Sequence, residues 1–367
     1  MPSSEEFESC LGFLPAGWEE QAAETGAFRR TRFLKSPSQL LRLLLLRAVT
    51  DGGLRMTATM AKESGVASVS AVALLKRCRA SVEWLQWIAS AMARQFRDSS
   101  PRFGNRKVRL LNSTTVSGPA SKGTDWRLQY SIELDSLACD WHALTDSSKG
   151  DSLEYVAVDK NDILVADRAY LGQKGIRHVK RRGGDVVVRV RWQYGQFIDD
   201  AGKTVDPLRY CRKLRVGEIG EWPVELPGSG ETKAVKGRII AVKLPAPLVA
   251  KQLHRIRRSA SKRGNRVDPR TLEAAHYVAL FTTLPAEELS AEQVLELYRL
   301  RWQVEIVFKR HKQILKLGKL PHNDPRAAKS WLLAKLVVAL LLESLYRSAS
   351  LFSPWGYSIK PTSPAHN

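Results

Sequence analysis

Tyr298, Arg301, Glu305 and Lys312 stand in the spacing Tyr-x2-Arg-x3-Glu-x6-Lys, in a stretch from Ala291 to Leu317 that is free of Gly and Pro. The residue types favour helix and Gly318 would stop it, so the spacing predicts one continuous helix over 291–317. At about 100° per residue the four side chains fall within roughly 60° of one another. A lone carboxylate is then ringed by a phenol and two cations on one face, while Val304, Ile306, Val307 and Phe308 bury the remainder. An amphipathic helix with ordinary i, i+4 ion pairs is the plain alternative. A carboxylate set among phosphate-binding groups points instead to a metal ligand against a nucleic-acid backbone.

Glu305 alone cannot do that chemistry. Phosphodiester cleavage uses two divalent ions about 3.5–4 Å apart, and Mg²⁺ takes hard oxygen ligands. Acidic side chains from distant parts of the chain must therefore meet it. Asp167 follows the apolar run Ile163-Leu-Val-Ala166 in the segment Asp167-Arg168-Ala-Tyr170-Leu-Gly172. The end of a buried strand is where open α/β sheets hold ligands; a turn-forming Asp is the alternative.

The 298–312 spacing resembles the Tyr-Arg-Glu-Lys signature of bacterial insertion-sequence transposases of the DDE type, in the family numbered four. Asp167-Arg168-Ala-Tyr170 is close to that family's Asp-Arg-x-Tyr element. Val108-Arg-Leu-Leu-Asn112-Ser-Thr-Thr115, followed by Gly123-Thr-Asp125-Trp-Arg127, is similar to its first motif. The resemblance spans roughly residues 105–345. It implies a ribonuclease-H-like mixed-sheet core with Mg²⁺ or Mn²⁺ held at the positions of Asn112, Asp167 and Glu305. It also implies that Tyr298, Arg301 and Lys312 hold terminal phosphates, with Arg168 and Tyr170 as further DNA contacts. Trp192 or Trp222 would stack on a base flipped out near the cleavage point, core packing being the alternative for each.

The first acidic position is occupied by Asn112, and no Asp lies within two residues of it. An amide oxygen can ligate but brings no charge, so metal affinity and rate are expected to drop steeply. An impaired copy is therefore expected. A substitution introduced to trap a complex would leave the same sequence.

Lys and Arg number 58 against 37 Asp and Glu, a formal charge of +21. That excess predicts a polyanionic partner, nucleic acid before an anionic membrane. Cys10, Cys78, Cys139 and Cys211 lie dozens of residues apart without a Cys-x-x-Cys pair, against a zinc module or disulfide framework and for a reducing cytosol. Residues 1–9 are acidic and polar, unlike a signal peptide. The apolar runs Leu40–Val49 and Trp331–Leu345 carry Arg42, Arg47, Lys335 and Glu343, too short and too charged to span a bilayer. A cytoplasmic, nucleoid-associated bacterial protein without membrane contact is expected.

These groups need a frame. Residues 1–98 are helical in pattern and are expected to form a DNA-binding domain. Within them Thr57–Arg77 resembles a helix-turn-helix, with Ala61 packed between helices, Gly65 in the turn and Ser68 or Ser70 capping the second helix. An ordinary helical hairpin is the alternative. The strand Val108–Leu111, a polar loop Asn112–Asp125, the strand Arg127–Leu134, its partner Leu137–Leu144, a helix Ser152–Val158 and the strand Ile163–Ala166 follow. That order opens a ribonuclease-H-like sheet, α/β in class, with the core assigned to 105–174 and 286–350.

Residues 175–285 are expected as a β-rich insertion. Its strands are Asp185–Arg191, Gln196–Ile198, Lys213–Val216, Gly220–Val224, Val235–Lys243 and Tyr277–Thr283, with His254–Arg266 as a mobile, DNA-facing basic loop. Residues 351–367 form a tail shorter than the helical one the resemblance implies.

The resemblance implies binding of terminal inverted repeats, metal-dependent hydrolysis at transposon ends and attack of the freed 3′-hydroxyl on target DNA, by a homodimer in the synaptic complex. The rival from another class is a silent DNA-binding inhibitor or repressor of the active element. A ribonuclease-H-like repair nuclease would explain the carboxylates but not the Tyr-Arg-Glu-Lys spacing.

Overall fold

Ten strands carry the architecture: β1 Lys107–Val116, β2 Trp126–Glu133, β3 Cys139–Asp146, β4 Asp162–Ala166, β5 Asp185–Arg189, β6 Phe197–Ile198, β7 Thr204–Val205, β8 Ile219–Leu226, β9 Val235–Lys243 and β10 Tyr277–Thr282. In this computed structural model, residues 4–29, 34–95, 105–121, 123, 125–192, 197–228, 233–306, 309, 320–321 and 324–351 are described. The strands form one mixed sheet in the order β3-β2-β1-β4-β5-β10-β9-β8-β6-β7. β1, β2 and β3 pair antiparallel, whereas β4 runs parallel to β1 and β5 parallel to β4. The first five strands are thus consistent with a ribonuclease-H-like core. β10 then joins β5 antiparallel and leads into β9 and β8. The strands of residues 175–285 therefore continue the same sheet.

Several expectations are corrected at their edges. β1 does not stop at Leu111: Asn112 to Val116 stay paired with β2 across Tyr130 to Trp126, since the Thr and Val residues suit a pleated strand despite their polar neighbours. The segment Ser152–Val158 holds only a 3-10 turn, Leu153–Tyr155. Lys213–Val216 contributes a single bridge, Val216 to Lys243, instead of a strand.

Twelve helices are described: α1 Ser4–Leu11, α2 Trp18–Glu24, α3 Pro37–Thr50, α4 Leu54–Glu63, α5 Ala71–Ala80, α6 Val82–Gln95, α7 Gln173–Arg181, α8 Pro207–Cys211, α9 Ala246–Lys262, α10 Pro269–Ala274, α11 Ala291–Arg299 and α12 Pro325–Leu351. Strand alternation divides the apolar side chains between two faces. Leu110, Tyr130, Ile163, Val165 and Leu280 share one core with α3, α6, α11 and α12. Leu111, Leu164, Val186, Val188 and Phe281 share another with α7 and α8. The sheet is therefore covered on both sides. Ion pairs Arg79–Asp324 and Arg326–Glu83 fasten α5 and α6 to α12 and its lead-in. No helix among the described residues is long and apolar enough to cross a membrane, and all four cysteines are free thiols.

α4 and α5 are two helices joined by a turn, which the helix-turn-helix and the ordinary helical hairpin both expect. Ala61 is wholly buried, Gly65 takes the left-handed turn at φ 68°, and Ser70, not Ser68, caps α5 by accepting from the Ala73 N–H.

Arg109 on β1 is buried in a polar knot. It pairs with Asp140 on β3 and with Asp162 at the start of β4, and donates to Ser131 Oγ on β2 at 3.2 Å. The two carboxylates lose their counter-charge if it is removed. Arg109→Met is expected to destabilise by about 3–5 kcal/mol, read as a lowered denaturant midpoint with unchanged slope.

Candidate active site

β4 ends at Ala166, and Asp167 continues the extended backbone at φ −72°, ψ 168°, its carboxylate accepting from the Arg168 N–H at 2.6 Å. The parallel register aligns Lys107 with Asp162 and Leu110 with Val165. The ladder ends there, and two residues further along each chain come Asn112 and Asp167, on the same face of the sheet by strand alternation. The β4–β5 register, in which Ala166 meets Val188, places Arg189 beside Asp167 on the other side. Asp167 and Arg189 thus share one side of the strand ends, a carboxylate in line with a guanidinium.

The signature segment comes over these strand ends with a break. α11 opens on a capping box, Ser290 with Gln293, and closes at Arg299. The N–H groups of Leu300 and Arg301 then reach only three residues back, to Leu297 and Tyr298, before helix resumes at Trp302. The expected continuous helix over 291–317 is corrected here to two helical pieces joined by a tightened turn, a geometry that often marks functional positions. Residues 310–319, including Lys312, lie outside the described residues.

The turn aims Arg301 back at both its neighbours. Its guanidinium lies 5.6 Å from the Tyr298 ring centre and donates to Glu305 Oε1 at 2.6 Å. Arg301 is mostly covered, with 15% of its side chain exposed, whereas Glu305 is 47% exposed. Burial pushes the Tyr298 phenol up in pKa, opposed by Arg301 and Arg189. Its hydroxyl is buried beside the Arg301 guanidinium.

Asp167, Arg168, Trp192, Arg301 and Glu305 line one cleft of about 390 Å³. Asn112 is half-buried at its register position but is not part of that lining. Tyr170 is only 2% exposed and packs into the core beneath the sheet with Leu164 and Val186. That burial leaves it no surface for a DNA contact, and it supports the loop of Asp167 from below. Trp192 sits at the cleft with its other face against the same core. Trp222 stacks instead on Tyr210, ring centres 5.3 Å apart.

Sequence reasoning missed Arg189, Gln252, Arg255 and Thr271, which share the cleft wall. Arg189 was visible as the residue in line with Asp167 had the strand register been known. Gln252 and Arg255 belong to α9, which spans most of the segment expected as a mobile loop. His254–Lys262 is helical, because Ala, Leu, Gln, Lys and Arg are strong helix formers despite the density of charge. A second groove of about 530 Å³ continues from the cleft along α9, sharing Arg168 and Arg255 and adding Arg263 and Arg266.

The donors are of the kind a hard dication takes, all oxygen: two carboxylates and, at position 112, an amide. Their number is short. Among the described residues no group of three His, Cys, Asp or Glu could hold a metal ion, and Glu305 is engaged by Arg301. The set fits one dication in kind and falls one carboxylate short of the charge that two would require.

Comparison with known proteins gives the family. Residues 142–341 match the family described as Transposase DDE domain. The chain is 33% identical to the InsL protein of insertion sequence element IS186A from Escherichia coli (strain K12) over 344 residues, 93% of each chain. It is equally similar, 33% over 347 residues and 93% of each chain, to the transposase for insertion sequence element IS421 from Escherichia coli. A more distant likeness, 25% over 203 residues covering 51% of this chain and 42% of the other, is to the transposase for element IS1151 from Clostridium perfringens. With more than half its length matched and a third of its residues shared along nearly the whole chain, the protein belongs to the DDE-domain transposases of bacterial insertion sequences.

Proposed function

We propose that the cleft between the end of β4 and the turn after α11 is the strand-cutting centre of a transposase acting at the terminal repeats of its own element. The observation that carries this reading is the convergence of Asp167, Arg301 and Glu305 on one cleft, from segments more than a hundred residues apart. Asp167, Glu305 and the oxygen of Asn112 would hold Mg²⁺ or Mn²⁺. When bound, such an ion activates the attacking oxygen and stabilises the leaving one. The chain's own residues do the rest. Arg301 offers a planar fork to a phosphate, backed by Tyr298, and Trp192 presents a ring on which an unpaired base can stack.

α9 and the groove beside it form a basic track leading away from the cleft. Duplex held there would be gripped through its phosphates, with loss of affinity at higher salt. Changing Arg255, Arg263 and Arg266 together to Ala is expected to weaken binding of an end duplex. The slope of log affinity against log salt should fall by about 2–3, as measured by fluorescence anisotropy over a salt series. An unchanged slope would remove α9 from the DNA path.

Position 112 also favours a second reading. With an amide where a carboxylate belongs, the protein binds ends without cutting them and acts as a competitor of the active element. Cleavage of a labelled end duplex with Mg²⁺ or Mn²⁺ distinguishes the two. The first reading requires cutting that is lost in Glu305→Gln. The second requires tight binding and no cutting until Asn112→Asp is made.

A further inference from the structure

We infer that Asn112 is a self-processing site, at which the backbone nitrogen of Ser113 converts the side-chain amide into the carboxylate that the cleft lacks. The inference rests on the reading of that cleft as a metal-dependent strand-cutting centre. Its grounds, however, are local. The Ser113 N–H donates to Asn112 Oδ1 at 2.9 Å, so the side chain is folded back along the main chain toward the next peptide. In that arrangement Cγ is one bond from the atom the nitrogen already touches.

The strand leaves this peptide held on one side. Asn112 and Ser113 remain paired with Tyr130 and Gln129 of β2, whereas the ladder to β4 ends at Leu110 and Val165. Both residues are half-buried, not sealed, which gives water access. Ser113 is small and unbranched, so it does not obstruct approach of its own nitrogen to the preceding side chain. On the β4 side the ladder has ended before this residue.

The chemistry balances with water alone. The Ser113 nitrogen loses its proton and bonds to Asn112 Cγ, and the Cγ–Nδ2 bond breaks to release ammonia, closing a succinimide ring. Water then opens the ring. Cleavage of the new bond restores the ordinary main chain with a carboxylate at position 112. Cleavage of the original peptide bond gives isoaspartate, whose longer main chain would disrupt the register with Tyr130. Pairing with β2 therefore favours the aspartate product. The new carboxylate would stand beside Asp167, where the first acidic ligand belongs.

The test is direct because the tryptic peptide of residues 110–122 contains Asn112 and no other Asn, Gln, Asp or Glu. Freshly purified full-length protein is aged at mildly alkaline pH, and this peptide is followed by mass spectrometry with fragmentation that separates aspartate from isoaspartate. Aspartate is expected to accumulate with time, severalfold more slowly in Ser113→Val, whose branched side chain hinders ring closure but suits a strand. End cleavage should rise in step with it. No mass gain in the folded protein, a gain as isoaspartate alone, or an equal rate in Ser113→Val would overturn the inference. Asn112→Asp serves as reference. If it cuts while the aged protein never converts, self-processing fails and the active-site reading stands. If conversion proceeds but Asn112→Asp does not cut, the active-site reading fails, and with it the gain of activity.

Discussion

Replacing Asn112 with Asp is expected to raise the rate of end cleavage by roughly 10²–10³-fold, the range that one well-placed electrostatic group commands at a reacting centre. Position 112 and Asp167 each stand two residues past the last rung of the β1–β4 ladder, on one face of the sheet, which is the reason. Asn and Asp have nearly the same shape, so packing changes little and charge changes by one unit. The same substitution carries a cost without metal. Two carboxylates brought close repel, and a cation between them relieves the repulsion. The thermal midpoint of Asn112→Asp should therefore fall below that of the parent in chelator and recover on adding Mg²⁺, while the parent responds less. A midpoint indifferent to Mg²⁺, with no gain in cutting, would mean that position 112 does not face the cation.

The second large effect belongs to Glu305. In the Asn112→Asp background, Glu305→Gln is expected to remove the gained cleavage, again by roughly 10²–10³-fold, while leaving end binding within a few fold. The contrast follows from the geometry. Glu305 is the more exposed partner of its ion pair with Arg301, so neutralising it frees a guanidinium for phosphate. Arg301→Ala should behave oppositely. It removes the phosphate fork and the stack on Tyr298, so binding should fall together with cutting. Gel-shift and single-turnover cleavage on the same duplex separate the two patterns. Loss of binding in Glu305→Gln would assign that residue to DNA contact or to folding.

Much of this was legible from the residues. β9 runs over Val235–Lys243 as expected, and the β2–β3 hairpin and the buried β4 lie within a residue or two of expectation. Each is bounded by clear turn chemistry, and each buries a face. Asp167, Arg168, Arg301 and Glu305, named from motifs alone, line one cleft, and Trp192, one of two tryptophans offered for stacking, lines it too.

The misreadings share a cause, which is that local residue type was taken for local structure. Asn112 to Thr115 look like a loop because they are polar, yet β2 supplies a complete partner for them. The arginines of α9 look like a solvated excursion, yet their intervening Leu, Ile and Ala residues sustain a helix. The signature segment looks unbroken because nothing in it is a helix breaker. The three-residue hydrogen bonds at Leu300 and Arg301 arise where Arg301 must serve Tyr298 and Glu305 at once. Arg189 escaped notice because only strand register brings it to Asp167.

The central claim is that position 112, Asp167 and Glu305 surround one cation at a DNA end. The most direct measurement is anomalous diffraction from Mn²⁺ in crystals of Asn112→Asp bound to an uncleavable end duplex. The expected result is a Mn²⁺ peak in contact with the carboxylates of Asp167 and Glu305 and the new one at position 112, with Arg301 turned from Glu305 to a phosphate. A peak elsewhere, or Glu305 still held by Arg301 with the duplex in place, would contradict it.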